Sequence, residues 1–344
     1  MLRINNLTTS FKINKKLYPA VKDINITLEK GETLCIVGES GSGKTITSLS
    51  LMQLLPSNGE ISSGEIIYKD QDITKFGKKK MNKLRGKSIS MIFQDPMSAL
   101  DPVYTCGYQI KEVLDFHENY TNEEKVERVI SLLKQVGIPH PKNIYNAYPH
   151  ELSGGMCQRV VIAMALACDP DLLIADEPTT ALDVTIQAKI LKLLNDLKEQ
   201  RNLSILLITH DLGVVAEMAD KVIVMYAGEV VEVADINTLF DHPKHPYTKG
   251  LIGSVASISS KGNQLYSIPG KVPSITEMPK GCRFNTRCPL ASDKCFIERP
   301  ELEFVTDHTS QEVRCWNVDT VGGKQNEPAS LRNKKCKKTL SSQK

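Results

Sequence analysis

The stretch that most constrains this chain is Gly38–Thr45, GESGSGKT, which fits G-x-x-x-x-G-K-[ST] between an apolar run and a helix-like segment. Its glycines let the chain curl so that backbone N–H groups face an anion, and the following helix N-terminus adds a favourable dipole. Such a loop needs a buried strand to enter it and a helix to leave it. Gly38, Ser40, Gly41, Ser42, Gly43, Lys44 and Thr45 are therefore expected to line a phosphate site. Lys44 would neutralise the β and γ phosphates of a nucleotide, and the Thr45 hydroxyl would face Mg²⁺. Thr47, further along the same helix, is grouped with them, and the helix is expected to run through Leu55.

Beyond the loop, LRINNLTTSF and AVKDINITL read as strands, and DPDLLIADEP and LSILLITHD as short buried ones. Val126, Val129, Ile130 and Leu133 recur at helical spacing and predict an amphipathic helix over 121–136. Alternating strand and helix point to a three-layer α/β core with a mainly parallel sheet. The mostly helical reading from Gln94 to Ala167 suggests a helical subdomain inserted at about 95–167. After Asp241 the regular pattern fades, which sets a boundary near residue 260 and leaves a smaller segment, 261–320.

Charge and hydropathy narrow the function. The net charge of +3 is uneven, because residues 321–344 carry +6 and leave −3 on residues 1–320. A nearly neutral body argues against a broad nucleic-acid surface, and the basic tail is expected to be disordered. Apolar runs fall far short of the roughly 20 residues of a membrane span. The N-terminal MLRINNLTTSF lacks a charged start, an apolar stretch and a cleavage site, so a cytoplasmic location is expected.

Two further motifs carry chemistry. LLIADE delivers Asp176 and Glu177 to the end of an apolar strand, the first suited to Mg²⁺ and the second to polarising water as a general base. Alone, an acidic pair before Pro178 suits a helix start equally well. LSGGM (Leu152–Met156) then leads into CQRVVIAMALA. A small hydroxyl and two glycines at a helix N-terminus make a second anion site.

The order and spacing of these motifs resembles the ATP-binding-cassette ATPases. That resemblance implies a P-loop NTPase fold with a RecA-like core, an antiparallel β subdomain and an inserted helical subdomain. It implies that Ser153, Gly154 and Gly155 close over the γ-phosphate of a nucleotide held by a partner subunit. It likewise implies that Gln94 in SMIFQDP couples the site to a membrane partner, that Asp183 in TTALD lies at the dimer seam, and that His210 in SILLITH contacts the γ-phosphate. An adenine-stacking aromatic is expected near the first strands, with Phe11 the first choice and Tyr18 the second.

YPHELSGGM, FQDPMSALDPVYT, HPYTKGL and the terminal cysteine segment are similar to ATPase subunits of bacterial dipeptide and oligopeptide importers. This implies ATP hydrolysis at the cytoplasmic face of the membrane, coupled to two permease subunits. It also implies a second related ATPase and an extracellular or periplasmic peptide-binding protein. Dipeptide, oligopeptide or nickel-chelate cargo stays open. A soluble cassette ATPase would more often carry two cassettes or a long coiled-coil insertion, and neither is present. Cys157 stands where this subfamily commonly has arginine.

Four of the nine cysteines, Cys282, Cys288, Cys295 and Cys315, follow the spacing C-x5-C-x6-C-x19-C. A reducing compartment disfavours disulfides. The spacing is wide for a zinc knuckle, suits the larger iron–sulfur geometry, and also allows no metal at all. The importer resemblance implies a 4Fe-4S cluster on these four thiols, stapling a segment poor in apolar residues.

Overall fold

A strand buried at every position needs cover on both faces, and TLCIV, LLIAD and SILLIT are such segments. The computed structural model describes residues 1–180, 182–259, 267–306 and 308–319, so the basic tail and the boundary near 260 lie outside the described residues. Strands follow in chain order as β1 (Leu2–Ile13), β2 (Lys16–Leu28), β3 (Thr33–Val37), β4 (Gly59–Tyr68), β5 (Gln71–Asp72) and β6 (Ile89–Ile92). After the helical region come β7 (Leu172–Asp176), β8 (Ser204–Thr209), β9 (Lys221–Tyr226), β10 (Glu229–Asp235), β11 (Glu303–Val305) and β12 (His308–Val313).

Among the described residues these strands form two sheets, an antiparallel one ordered β2-β1-β4-β5 and a mixed one ordered β11-β12-β10-β9-β3-β8-β7-β6. Strands β9, β3, β8, β7 and β6 pair in parallel, and β10, β12 and β11 add antiparallel. The two-residue period of a strand divides the core. Leu34, Ile36, Ile174 and Leu206 face the antiparallel sheet and pack with Leu2, Ile4, Ile24 and Ile66. Cys35, Val37, Leu173 and Leu207 face the helices and pack with Leu114, Leu133, Val161 and Leu194.

The region between β6 and β7 is helical, with Cys106–His117, Asn122–Gln135, Pro141–Asn146 and Gly154–Ala165. The second of these coincides with the helix expected from hydrophobic spacing. It opens on a capping box, in which Thr121 accepts from the Glu124 N–H and Glu124 accepts from the Thr121 N–H. The helix after the phosphate loop, Lys44–Leu51, stops short of Leu55. Gln53 is left-handed at φ 50°, and Pro56 follows, so the chain turns out of the helix. No described helix is long and apolar enough to cross a membrane.

The later residues dock on the large sheet through charge as well as strand pairing. β12 pairs with β10 at Glu232↔Val313 and Val233↔Glu312. The buried Glu229 carboxylate lies 3.2 Å from Arg283 and 2.8 Å from Arg299, and Arg299 also meets Asp23 at 2.8 Å. Arg314 Nε donates to the Val230 carbonyl at 2.8 Å, and Arg283 donates to the Ala227 carbonyl. Phe284 packs edge-on to Tyr226, with ring centroids 5.0 Å apart.

The iron–sulfur expectation is corrected here. Among the described residues, no group of three or more His, Cys, Asp or Glu side chains is arranged to hold a metal ion. The thiols sit in local contacts instead: Cys295 Sγ lies 3.4 Å from Ser292 Oγ, and Cys315 Sγ accepts from the Asn317 N–H. Burial pushes the Cys282 and Cys315 thiols up to about 12, with neighbouring cysteines of the same set adding to the rise. The stapling expected of a cluster falls to the arginines between these cysteines.

Removing one partner from a buried ion pair leaves an uncompensated charge, so Glu229→Ala is expected to destabilise the fold by about 3–5 kcal/mol. Urea unfolding of the purified chain measures this. Limited proteolysis should find new cleavage concentrated within residues 281–319.

Candidate active site

Parallel pairing of β6, β7, β8 and β3 brings the residues after their carboxyl ends to one edge of the sheet, where open α/β sheets build sites. β3 runs into the glycine loop. Gly43 caps the helix Lys44–Leu51 at φ 100°, a left-handed conformation that glycine adopts without strain. A side chain at Gly38 would collide with the Met225 carbonyl and would sit 2.8 Å from Ser42 Oγ. The loop thus turns beside β9 without side chains at the points of closest approach.

Lys44 is buried, and its Nζ donates to the carbonyls of Gly38 (2.7 Å) and Glu39 (3.0 Å). Burial lowers its pKa, against the opposing pull of the Glu177, Asp176 and Glu39 carboxylates. Thr45 donates to Asp176 Oδ1 at 3.4 Å. Burial pushes the Asp176 carboxyl up to about 6, with Glu177 adding to the rise and Thr45 and Lys44 opposing it. The hydroxyl and carboxylate supply hard oxygen donors of the kind Mg²⁺ takes. Thr47 is kept out of the site, because it is fully buried and its hydroxyl donates to the Gly43 carbonyl.

One residue past β7, Glu177 adopts φ 49°, uncommon for a side chain of this size. Its N–H donates to the Ile208 carbonyl at 2.8 Å, holding the turn beside β8. Three side chains converge on its carboxylate. Gln94 Nε2 donates to Oε2 at 2.9 Å, Thr180 Oγ1 donates to Oε2 at 2.9 Å, and His210 Nδ1 lies 3.1 Å from Oε1. Burial works against the charge of Glu177, yet the contacts from His210 and Thr180 and the charge of Lys44 leave its pKa below the ordinary value. The sequence pattern did not single out Thr180, although its position three residues after Glu177 is the spacing at which such a turn closes.

Two cavities meet at this carboxylate. One, of about 440 Å³, runs from Ser40–Ile46 past Gln94 and Glu177 to the segment Val272–Met278. The other, of about 580 Å³, is lined by Gly38–Ser40, Gln94, Glu177, Thr180 and His210. The loop is also held from behind. Tyr247 Oη accepts from the Glu39 N–H at 2.8 Å, and Arg287 clamps the Glu39 carboxylate with two bonds of 2.6 and 3.0 Å. Neither Arg287 nor Glu39 stood out in the sequence, where the cysteines flanking the arginine drew the attention.

The other expected residues lie elsewhere. Ser153 caps the helix Gly154–Ala165 by accepting from the Met156 N–H, with Ser153 and Gly154 exposed and lining neither cavity. A side chain on Gly155 would come within 2.9 Å of Ile186. Asp183 caps the helix Val184–Arg201 through the Ile186 N–H. Phe11 pairs with Tyr18 across β1 and β2 and crowds Gly59, and neither ring lines the two cavities. Cys157 is buried, with its Sγ 3.5 Å from the Pro149 carbonyl, so it serves packing beneath the helix start.

Residues 21–180 match the family model for the ABC transporter, and residues 231–295 match that for the oligopeptide/dipeptide transporter C-terminal region. The chain is 51% identical to the oligopeptide transport ATP-binding protein AppD of Bacillus subtilis, over 94% of this chain and 99% of that one. It is 46% identical to the dipeptide transport ATP-binding protein DppD of Escherichia coli, over 94% and 98%. Among solved structures, it matches the dimeric post-hydrolysis state of the ATP-binding cassette MJ0796 bound to ADP and Pi, with a TM-score of 0.62, 29% identity, and coverage of 69% of this chain and 99% of that one. The chain therefore belongs to the ABC transporter ATP-binding proteins, within the group that includes the oligopeptide and dipeptide transport ATP-binding subunits.

Proposed function

We propose that this chain is the ATP-hydrolysing subunit of a membrane importer for dipeptides or oligopeptides. The observation that carries the reading is the convergence of Gln94, Thr180 and His210 on Glu177 at the mouth of the Lys44 loop. The names of its relatives favour peptide cargo over a nickel chelate.

Lys44 and the loop N–H groups bind the phosphates, and Glu177, kept ionised by its neighbours, accepts a proton from the attacking water. Gln94 and His210 orient that carboxylate, and they report on it to the surfaces beyond. Thr45 and Asp176, with Gln94 beside them, would hold Mg²⁺, which when bound neutralises charge on the phosphate oxygens. Ser153, Gly154 and Gly155 line neither cavity at their own loop, which suits closure over the nucleotide of a second, related ATPase, with Asp183 at the seam. The dimeric form of the solved cassette supports that arrangement.

The residues flanking Gln94 and following it present exposed apolar side chains, namely Phe93, Met97, Val103, Tyr104 and Tyr108, with the last two rings stacked at 4.9 Å. A surface of this kind next to Gln94 suits the cytoplasmic ends of two permease subunits, with a peptide-binding protein on the far side. In this reading, residues 1–260 form the nucleotide-binding domain, with its helical subdomain at about 95–167, and residues 261–320 are the extension typical of the peptide group.

In a strain lacking this chain, the native sequence is expected to restore uptake of labelled di-, tri- and pentapeptides, whereas Lys44→Ala restores none. Restored nickel uptake with no peptide response would overturn the cargo. Glu177→Gln is expected to lower ATP turnover about 10²–10⁴-fold. Measured with its partner subunits, the same variant should retain bound ATP. The Asp176 carboxyl adds a pH dependence, since its pKa rises from about 3.8 to about 6 on folding. Its ionisation therefore costs the folded state nothing below pH 3.8 and about 3 kcal/mol once pH exceeds 6. Asp176→Asn should accordingly raise the Tm of the nucleotide-free protein at pH 8, with a gain that shrinks towards pH 4, while weakening Mg²⁺-dependent ATP binding.

A further inference from the structure

Glu39 is the second residue of the phosphate loop, and each of its polar groups is bonded. Its carbonyl accepts from the Ser42 N–H at 3.1 Å and from Lys44 Nζ at 3.0 Å. Its N–H donates to Tyr247 Oη at 2.8 Å, and its carboxylate takes bonds of 2.6 and 3.0 Å from Arg287. The carbonyl contacts belong to the loop itself. The others come from 208 and 248 residues further along the chain, outside every nucleotide motif.

The consequence falls on Lys44. A protonated lysine carries three N–H donors, and two of these are spent on the Gly38 and Glu39 carbonyls. The places of those two oxygens therefore set the direction of the third donor, and Lys44 lines the cavity at the loop. Gly38 directly follows β3 and is set by the sheet, whereas Glu39 has left the strand and is held by Tyr247 and Arg287. Both anchors are firmly seated. Tyr247, at the start of the helix Pro246–Ser259, is fully buried, with its ring centroid 4.8 Å from that of Tyr226 and 5.4 Å from that of Phe284. Its N–H donates to His245 Nδ1 at 3.0 Å, and the Lys244 and His245 N–H groups donate to the buried Glu232 carboxylate of β10 at 2.8 Å each. Arg287 donates in addition to the carbonyls of Ile268 (3.2 Å) and Pro269 (2.8 Å).

We propose that Tyr247 and Arg287 are positioning residues for phosphate binding, which fix Glu39 so that the remaining N–H of Lys44 is aimed into the cavity. The inference rests on the reading of the loop as an ATP site. Neither side chain lines the two cavities at Glu177, so each acts through Glu39 and not on the nucleotide. The HPYTKGL and GCRFNTRC segments, which lie outside the nucleotide motifs, thereby become part of the support of the phosphate site.

The test is calorimetric titration of the full chain with Mg·ATP and with inorganic tripolyphosphate, which has the polyanion and no base. Tyr247→Phe removes one hydroxyl and leaves the ring in its packing, and Arg287→Gln removes the fork. Each is expected to raise Kd about tenfold for both ligands, with the number of binding sites per chain unchanged. A merely structural role would lower the number of sites and leave Kd where it was, and that result overturns the proposal. An unchanged Kd in Tyr247→Phe overturns it as well, as does a loss confined to ATP. In a Glu39→Gln background, Arg287→Gln should cost less than about a further twofold. A full tenfold loss in that background would mean that Arg287 acts by another route. Lys44→Ala separates the premise. Undiminished binding of both ligands there sinks the loop reading and the positioning role together, whereas a loss there beside an unchanged Tyr247→Phe sinks the positioning role alone.

Discussion

Everything at the site depends on the parallel alignment of β6, β7, β8 and β3. Because these strands run the same way, the residues that follow each of them emerge at one edge, and side chains as distant in sequence as Gln94, Glu177 and His210 become neighbours. Parallel sheets need helices on their faces, and the buried alternation of Leu172–Asp176 and Ser204–Thr209 supplies the apolar surface for them. The chemistry is therefore a by-product of how a fully buried strand must be covered. Glu177 adds a local cost, a left-handed backbone, which the bond from its N–H to Ile208 helps to hold.

Charge plays the second organising part. Arg283, Arg287, Arg299 and Arg314 come from the last hundred residues, and each finds a partner on the earlier sheet or loop. Buried pairs of this kind contribute modestly to net stability, because desolvation offsets most of the attraction. Their value is in register. A guanidinium forked onto Glu39 admits one geometry, so the extension docks in one place on the phosphate loop.

Much of this was legible in the sequence. GESGSGKT, LLIADE and SILLITH each couple a local motif to a strand end, and a local pattern is what periodicity and composition can read. The curvature of Gln53 out of its helix was missed because a single left-handed residue leaves little trace in hydropathy. The Arg287–Glu39 clamp was missed for a different reason, since 248 residues separate its partners and neither is unusual in its own neighbourhood. In GCRFNTRC the thiols suggested a metal, but spacing along a chain does not fix where side chains converge. The arginines in the same eight residues make the contacts that hold the segment. Phe11 shows the same limit, for an aromatic residue near the first strands is as useful against Gly59 as against a base.

The pairing of β12 with β10 also bears on how the chain is made. β10 is complete at Asp235, but the strand that covers its outer edge ends at Val313, nearly eighty residues later in synthesis. Until then the edge offers unpaired backbone groups beside Val230, Val231 and Val233, an arrangement that invites pairing with another chain. A strand made late in synthesis is thus a built-in cover for the sheet. A nascent chain halted before residue 308 is the species most exposed to misassembly.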